Sequence, residues 1–140
     1  KLAKATLSKW LYFLLENKLI KVNKIGVTKL YKLEKNNIVV KYLKILNSVT
    51  ELQNLKGIAE KFNCDIFLYG STARGEDTSR SDIDLLVIGE ISNNALNQIK
   101  NAVKGREAKI QSFSKIEWSE LERKDRAFYE RAEKDKIKLN

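Results

Sequence analysis

Histidine and methionine are absent from the 140-residue chain, and cysteine occurs once, as Cys64. Without histidine there can be no Ser-His or Cys-His nucleophilic catalysis, and with a single cysteine there can be no Cys/His zinc site. One cysteine cannot form an internal disulfide, and at the mouth of an apolar run it reads as a small buried side chain. Any metal must therefore be held by oxygen ligands, which points to magnesium or manganese. No apolar run approaches the roughly 20 residues that span a bilayer. No secretory leader is visible, so the expectation is a cytoplasmic protein with no membrane partner. A chain that opens on Lys1 and holds no Met is expected to be preceded by a further segment.

The net charge of +9 is unevenly spread. Residues 1–37 hold nine Lys against Glu16 and Glu34, whereas the remaining 103 residues carry 18 basic and 16 acidic groups. A basic end on a nearly balanced body suggests two modules, the first facing a polyanion.

In that basic end, "TLSKWLYFLLENKLI" places Leu7, Trp10, Leu11, Phe13, Leu14 and Leu15 at the spacing of a well-buried helix, with Thr6 or Ser8 to cap it. The following "LIKVNKIGVTKLYKLE" alternates on either side of Gly26, the pattern of a β-hairpin with one lysine-rich face. Helix and basic hairpin together resemble the recognition helix and wing of a winged helix-turn-helix, without its first helix. The resemblance implies that Ser8, Lys9 and Tyr12 face a DNA major groove and that Lys24 and Lys29 meet phosphates. The polar break "EKNN" closes this module at residue 37. Residues 38–62 then keep helical spacing as one long helix or two, with Ser48 and Thr50 as a re-capping point. The apolar side of this segment is core or a homodimer seam.

Residues 63–140 read as strand, turn, strand, helix, strand and two C-terminal helices: an α/β (α+β) domain with a small mixed sheet flanked by helices. Its central stretch is "LYGSTARGEDTSRSDIDLLVI". Aspartate is depleted in strands and costly to bury unpaired. Asp82 and Asp84 nonetheless stand two apart at the start of an apolar run, and so share one face of a strand while Ile83 and Leu85 point into the core. Two carboxylates side by side repel, so a positive group is expected between them. Such a pair suits divalent cations that hold a hydroxyl and a triphosphate in line. Gly70 lets the preceding strand turn sharply, and Ser71 offers its hydroxyl and amide to phosphate at the start of a short helix. Arg74 can contact phosphate or pair with Glu76 or Asp77.

Gly70-Ser71, ten residues, then Asp82-Ile83-Asp84 and "LLVI" resemble the nucleotidyltransferase superfamily related to DNA polymerase β. Arg74-Gly75-Glu76 and Ser81 extend the likeness to its minimal nucleotidyltransferases. The resemblance implies that triphosphate rests on Gly70 and Ser71, that Asp82 and Asp84 hold magnesium, and that NMP, AMP from ATP, passes to an acceptor. The third carboxylate implied is Glu107, in "GREAKIQSFSKIEW", as metal ligand and base; an exposed strand-end acid is the other reading. Lys109, two residues on, departs from the usual pattern.

Two functions compete on these residues. One is a nucleotidyltransferase acting on a protein or RNA, with a HEPN-type partner and an antitoxin role implied by the resemblance. The other is a winged-helix DNA-binding regulator whose nucleotidyltransferase domain only senses nucleotide or dimerises.

Overall fold

The structure, a computed structural model, describes residues 3–140; Lys1 and Leu2, the first residues of the expected N-terminal module, lie outside the described residues. The chain divides into two compact units, Lys1–Leu43 and Lys44–Asn140. Among the described residues no helix is long and apolar enough to cross a membrane.

The first unit contains helix α1 (Lys4–Glu16) and an antiparallel hairpin of β1 (Ile20–Ile25) and β2 (Thr28–Leu33). Gly26, at φ +58°, supplies the turn. The helix begins one turn earlier than its polar residues suggest: Ala3 stands at the N-cap without a side-chain bond, and Thr6 and Ser8 lie inside. The expected well-buried helix is not found. No residue of α1 is buried, and Leu7, Trp10 and Phe13 are about half exposed. Within its own unit a two-stranded hairpin is too small to cover an apolar surface that runs most of the way round. Asn37 starts the next helix, its Oδ1 accepting from the Val39 amide at 2.8 Å, and its Nδ2 donates to the Lys18 carbonyl.

Residues 38–62 form two helices, α2 (Ile38–Glu51) and α3 (Leu55–Phe62). The re-capping expected of Ser48 and Thr50 does not occur. Thr50 stays inside α2, where its hydroxyl donates back to the Leu46 carbonyl, and the break falls at residues 52–54. The second unit continues with β3 (Asp65–Tyr69), the single turn α4 (Gly70–Ala73), β4 (Ile83–Ile88), α5 (Asn93–Ala102) and β5 (Ala108–Phe113). It ends with α6 (Lys115–Lys124), α7 (Arg126–Asp135) and β6 (Ile137–Lys138). The sheet order is β5-β4-β3-β6, with β4 and β5 parallel and the other pairs antiparallel, the small mixed sheet that the sequence predicts. Ser92 caps α5, and Ser114 and Glu117 form a reciprocal capping box on α6.

Strand alternation divides the core in two. Ile66, Leu68, Ile83, Leu85 and Val87 face one side with Leu52, Leu55 and Ile99 of the helical layer. Phe67, Leu86 and Ile88 face the other, against Trp118, Phe128 and Ala132 of α6 and α7. Each fully buried Leu or Ile contributes about 1.5–3 kcal/mol, so both layers hold the sheet firmly. Strand β6, not foreseen from sequence, seals the free edge of β3. The amide of Leu139 donates to the Ile66 carbonyl, Asn140 Oδ1 accepts from the Ile66 amide, and Lys138 pairs with Asp65 at 2.7 Å.

At the far end of β4, Gly89 has φ +148° and lies so close to Cys64 that an added Cβ would stand 3.0 Å from its Cβ and 3.1 Å from its Cα. Cys64 is buried, and burial raises its thiol pKa. Gly89→Ala is therefore expected to destabilise the domain by about 1–3 kcal/mol. Urea titration should show a lower midpoint at unchanged slope; a wild-type midpoint would mean that the strand end relaxes without cost.

Candidate active site

The site is built where β3 ends and β4 begins. Tyr69 closes β3 opposite Asp84 in the antiparallel register, and Gly70, at φ +71°, turns the chain into α4. A Cβ at Gly70 would lie 2.6 Å from Asp84 Oδ2, so only glycine lets this turn close against the carboxylate. Ile83 and Leu85 are buried, and alternation turns Asp82 and Asp84 toward the face that carries Leu86. The positive group expected between the two acids is present, and it is Lys109. This residue stands directly across from Asp84 in the parallel β4–β5 register, and its Nζ lies 2.6 Å from Asp82 Oδ2.

The two aspartates differ in surroundings. Burial holds the Asp84 carboxyl above the usual carboxylate range; Lys109 draws it down and the Asp82 charge pushes it up again. The Lys109 ammonium is raised, first by its hydrogen bond to Asp82. Tyr69, beside Asp84, is likewise raised, first by burial and then by the Asp84 charge.

A groove of about 380 Å³ opens over this corner, lined by Gly70, Ser71, Arg74, Asp84, Phe128 and Arg131. Arg74 is engaged within the fold: its Nε donates to Glu76 at 3.0 Å and its Nη1 to Asp135 of α7 at 2.8 Å. Glu107 is exposed, just before β5, and its carbonyl accepts from the Ile83 amide at 2.8 Å. Among the described residues no three acidic groups gather into one cluster. Gly70, Ser71, Arg74, Asp82 and Asp84 thus meet at one corner, with Glu107 at its margin. Ser8, Lys9, Tyr12, Lys24 and Lys29 belong to the other unit, and all are exposed. There Tyr12 donates to Glu16 at 2.9 Å, which raises its phenol pKa. Lys24 and Lys29 face each other across the hairpin.

Two groups escaped the sequence reading. Arg131 of α7 lines the groove. Arg106 reaches behind it. Its guanidinium donates to Asp77 Oδ2 at 2.7 Å, to the Ser81 carbonyl at 2.7 Å, and to Thr72 Oγ1 and the Asp82 carbonyl at 3.2 Å each. Asp77 is buried between Arg106 and Lys44, whose Nζ lies 2.8 Å from Asp77 Oδ1 and also donates to the Gly75 carbonyl. The signal available was Gly105-Arg106 shortly before a strand, together with Asp77 in the loop between Gly70 and Asp82.

The Gly70 turn carries a direct test. In Gly70→Ala the Asp84 side chain can swing away, so most of the damage falls on the site, with a backbone penalty of about 1–2 kcal/mol. Carbon-13 NMR should show the Asp84 carboxyl resonance displaced in a protein that still melts cooperatively. An unmoved resonance would show that the turn does not press on the carboxylate.

Residues 52–138 match the family model described as "Nucleotidyltransferase domain". A search of the curated proteins gives no match. Among solved structures, a "putative nucleotidyltransferase" from Sulfolobus solfataricus is similar at 20% identity, over 71% of this chain and 85% of that one, with a TM-score of 0.43, too distant a likeness to assign an activity. The family match covers most of the chain and includes Gly70-Ser71, the aspartate pair and the groove; the chain belongs to the nucleotidyltransferase-domain family, enzymes that transfer NMP from a nucleoside triphosphate.

Proposed function

We propose that the chain is a magnesium-dependent nucleotidyltransferase that moves AMP from ATP to a protein or RNA acceptor. The observation that carries this reading is the closure of the Gly70 turn onto Asp84, which brings the 380 Å³ groove and a carboxylate pair to one corner. The donor set suits magnesium or manganese: the aspartate oxygens are hard ligands, and the site already draws in one cation, the Lys109 ammonium. Asp82 and Asp84 would hold the metal. Bound there, it would neutralise charge on the triphosphate and lower the pKa of the attacking hydroxyl.

The chain's own groups supply the rest. Gly70 and Ser71 would receive the phosphates through backbone amide and hydroxyl, with Arg131 adding positive charge to the groove and Arg74 available only on exchange of its Glu76 and Asp135 partners. The acceptor oxygen bonds to the α-phosphorus, the bond from that phosphorus to the bridging oxygen breaks, and pyrophosphate leaves with the electron pair. The hydroxyl proton passes to Glu107, which precedes the Ile83–Ala108 register pair by one residue, as Asp82 does. From the minimal-nucleotidyltransferase resemblance, the acceptor proposed is a HEPN-type protein, with the chain as its antitoxin, or an RNA.

Calorimetric titration tests the nucleotide site. ATP with magnesium should bind the wild-type protein, and binding should fall at least about tenfold without metal or in Asp82→Asn/Asp84→Asn. A folded wild-type protein that binds no triphosphate would overturn the reading.

The hairpin supports a second, compatible role. Lys24 sits directly opposite Lys29, while in the next such pair, Lys21 opposite Lys32, Lys21 has a counter-charge in Glu34 at 3.5 Å. Like charges in cross-strand pairs are destabilising unless something neutralises them. We propose that residues 1–37 are a winged-helix module whose α1 residues Ser8, Lys9 and Tyr12 enter a major groove while Lys24 and Lys29 meet phosphates. Duplex affinity should then fall steeply with salt, and Lys24→Glu/Lys29→Glu should flatten that slope by about two counterions. Absence of duplex binding at low salt would make the wing a protein-docking device.

A further inference from the structure

A lysine at the heart of an acidic catalytic pair calls for an explanation. Lys109 lies directly across from Asp84 in the β4–β5 register, and its ammonium sits 2.6 Å from Asp82 Oδ2. The contact is not a buried lock: the Lys109 side chain is 64% exposed and that of Asp82 32%. Four methylenes of flexible stem let the ammonium leave without moving the strand. A compact divalent ion brings twice the charge and can be coordinated by both carboxylates, whereas the ammonium brings a single charge and pairs with Asp82.

We propose that the Lys109 ammonium is a tethered counter-ion that occupies the Asp82–Asp84 pair and must be displaced before a divalent cation binds. The inference rests on the metal reading above and adds to it a residue that sets the site's metal affinity. The tethered charge screens the repulsion between two carboxylates on one strand face, so the resting site needs no metal for its structure. It also raises the metal concentration at which the site fills, by the worth of the ion pair that the metal must break. Lys109 acts here through Asp82 and is a positioning residue, not a catalytic one.

Electron paramagnetic resonance of free Mn²⁺ reads this directly on the full chain, with no substrate present. Lys109→Met is expected to bind Mn²⁺ about fivefold more tightly than wild type, the worth of a partly exposed ion pair. Lys109→Arg, which keeps a cation in place, should show no gain. Lys104→Met removes the same charge from the exposed turn before β5 and should stay at the wild-type affinity. Equal affinities for wild type and Lys109→Met, both lost in Asp82→Asn/Asp84→Asn, would overturn the counter-ion while leaving the metal site standing. A gain in Lys104→Met as large as in Lys109→Met would overturn it too, by showing that net charge alone is at work. If neither wild type nor Lys109→Met binds Mn²⁺ while both give a folded circular dichroism spectrum, the metal reading fails and the counter-ion with it.

Discussion

One guanidinium ties the corner together. Arg106 donates to the Asp77 carboxylate, the Thr72 hydroxyl and the carbonyls of Ser81 and Asp82, so it joins α4, the loop that follows and the residues that lead into β4. These are the segments that carry Ser71 and the aspartate pair. Desolvating such a charge costs several kcal/mol, and here a buried carboxylate together with three further acceptors offsets it. Lysine could not do the same, because its three donors radiate from one point while the planar fork of arginine matches acceptors spread over three segments. Asp77 needs a second cation for its other oxygen, and Lys44 provides it at 2.8 Å. Removing one member of such a buried set leaves the others uncompensated and costs about 3–5 kcal/mol. The loop from Arg74 to Asp82 contains almost no regular structure, so this network does the work that a helix or strand ladder would otherwise do.

Upon that anchor the sheet sets direction. Alternation along β4 gives Ile83, Leu85 and Val87 to one apolar layer and Leu86 and Ile88 to the other. The even positions change character along the strand, from Asp82 and Asp84 to Leu86 and Ile88. Where Trp118 and Phe128 cover the face, the residues beneath are apolar; where the cover gives way to the groove, they are acids. A single strand thus serves as core at one end and as site at the other. The constraint also explains Gly70, since any side chain at that turn would fill the space that Asp84 needs.

Features set by near neighbours in the chain were legible in the sequence. The Gly-Ser turn, the paired aspartates and the order of the longer strands and helices all follow from local spacing. Features set by register or by distant partners were not. Alternation places Glu107, Lys109 and Gln111 on one face, but only the β4–β5 register shows Lys109 standing across from Asp84. The two-residue β6 has too few residues for any periodicity, and exists because Asp65 and the Ile66 amide find partners more than 70 residues away. Arg106 was visible as a residue, yet its four partners are drawn from 24 to 34 positions earlier. The apolar residues of α1 predicted burial because periodicity reports a helix without reporting what is available to cover it.

The asymmetry of the aspartate pair is the last consequence of this arrangement. Asp82 precedes the strand and has the Lys109 ammonium in contact. Asp84 lies within the strand, pressed by the Gly70 turn and flanked by Tyr69, and burial disfavours its charge. A cation entering the corner therefore meets one carboxylate already engaged and another whose charge is poorly solvated. Burial thus governs the charge of Asp84, and the neighbouring ammonium engages that of Asp82. Two chemically identical side chains, two positions apart, have been given different surroundings by the fold alone.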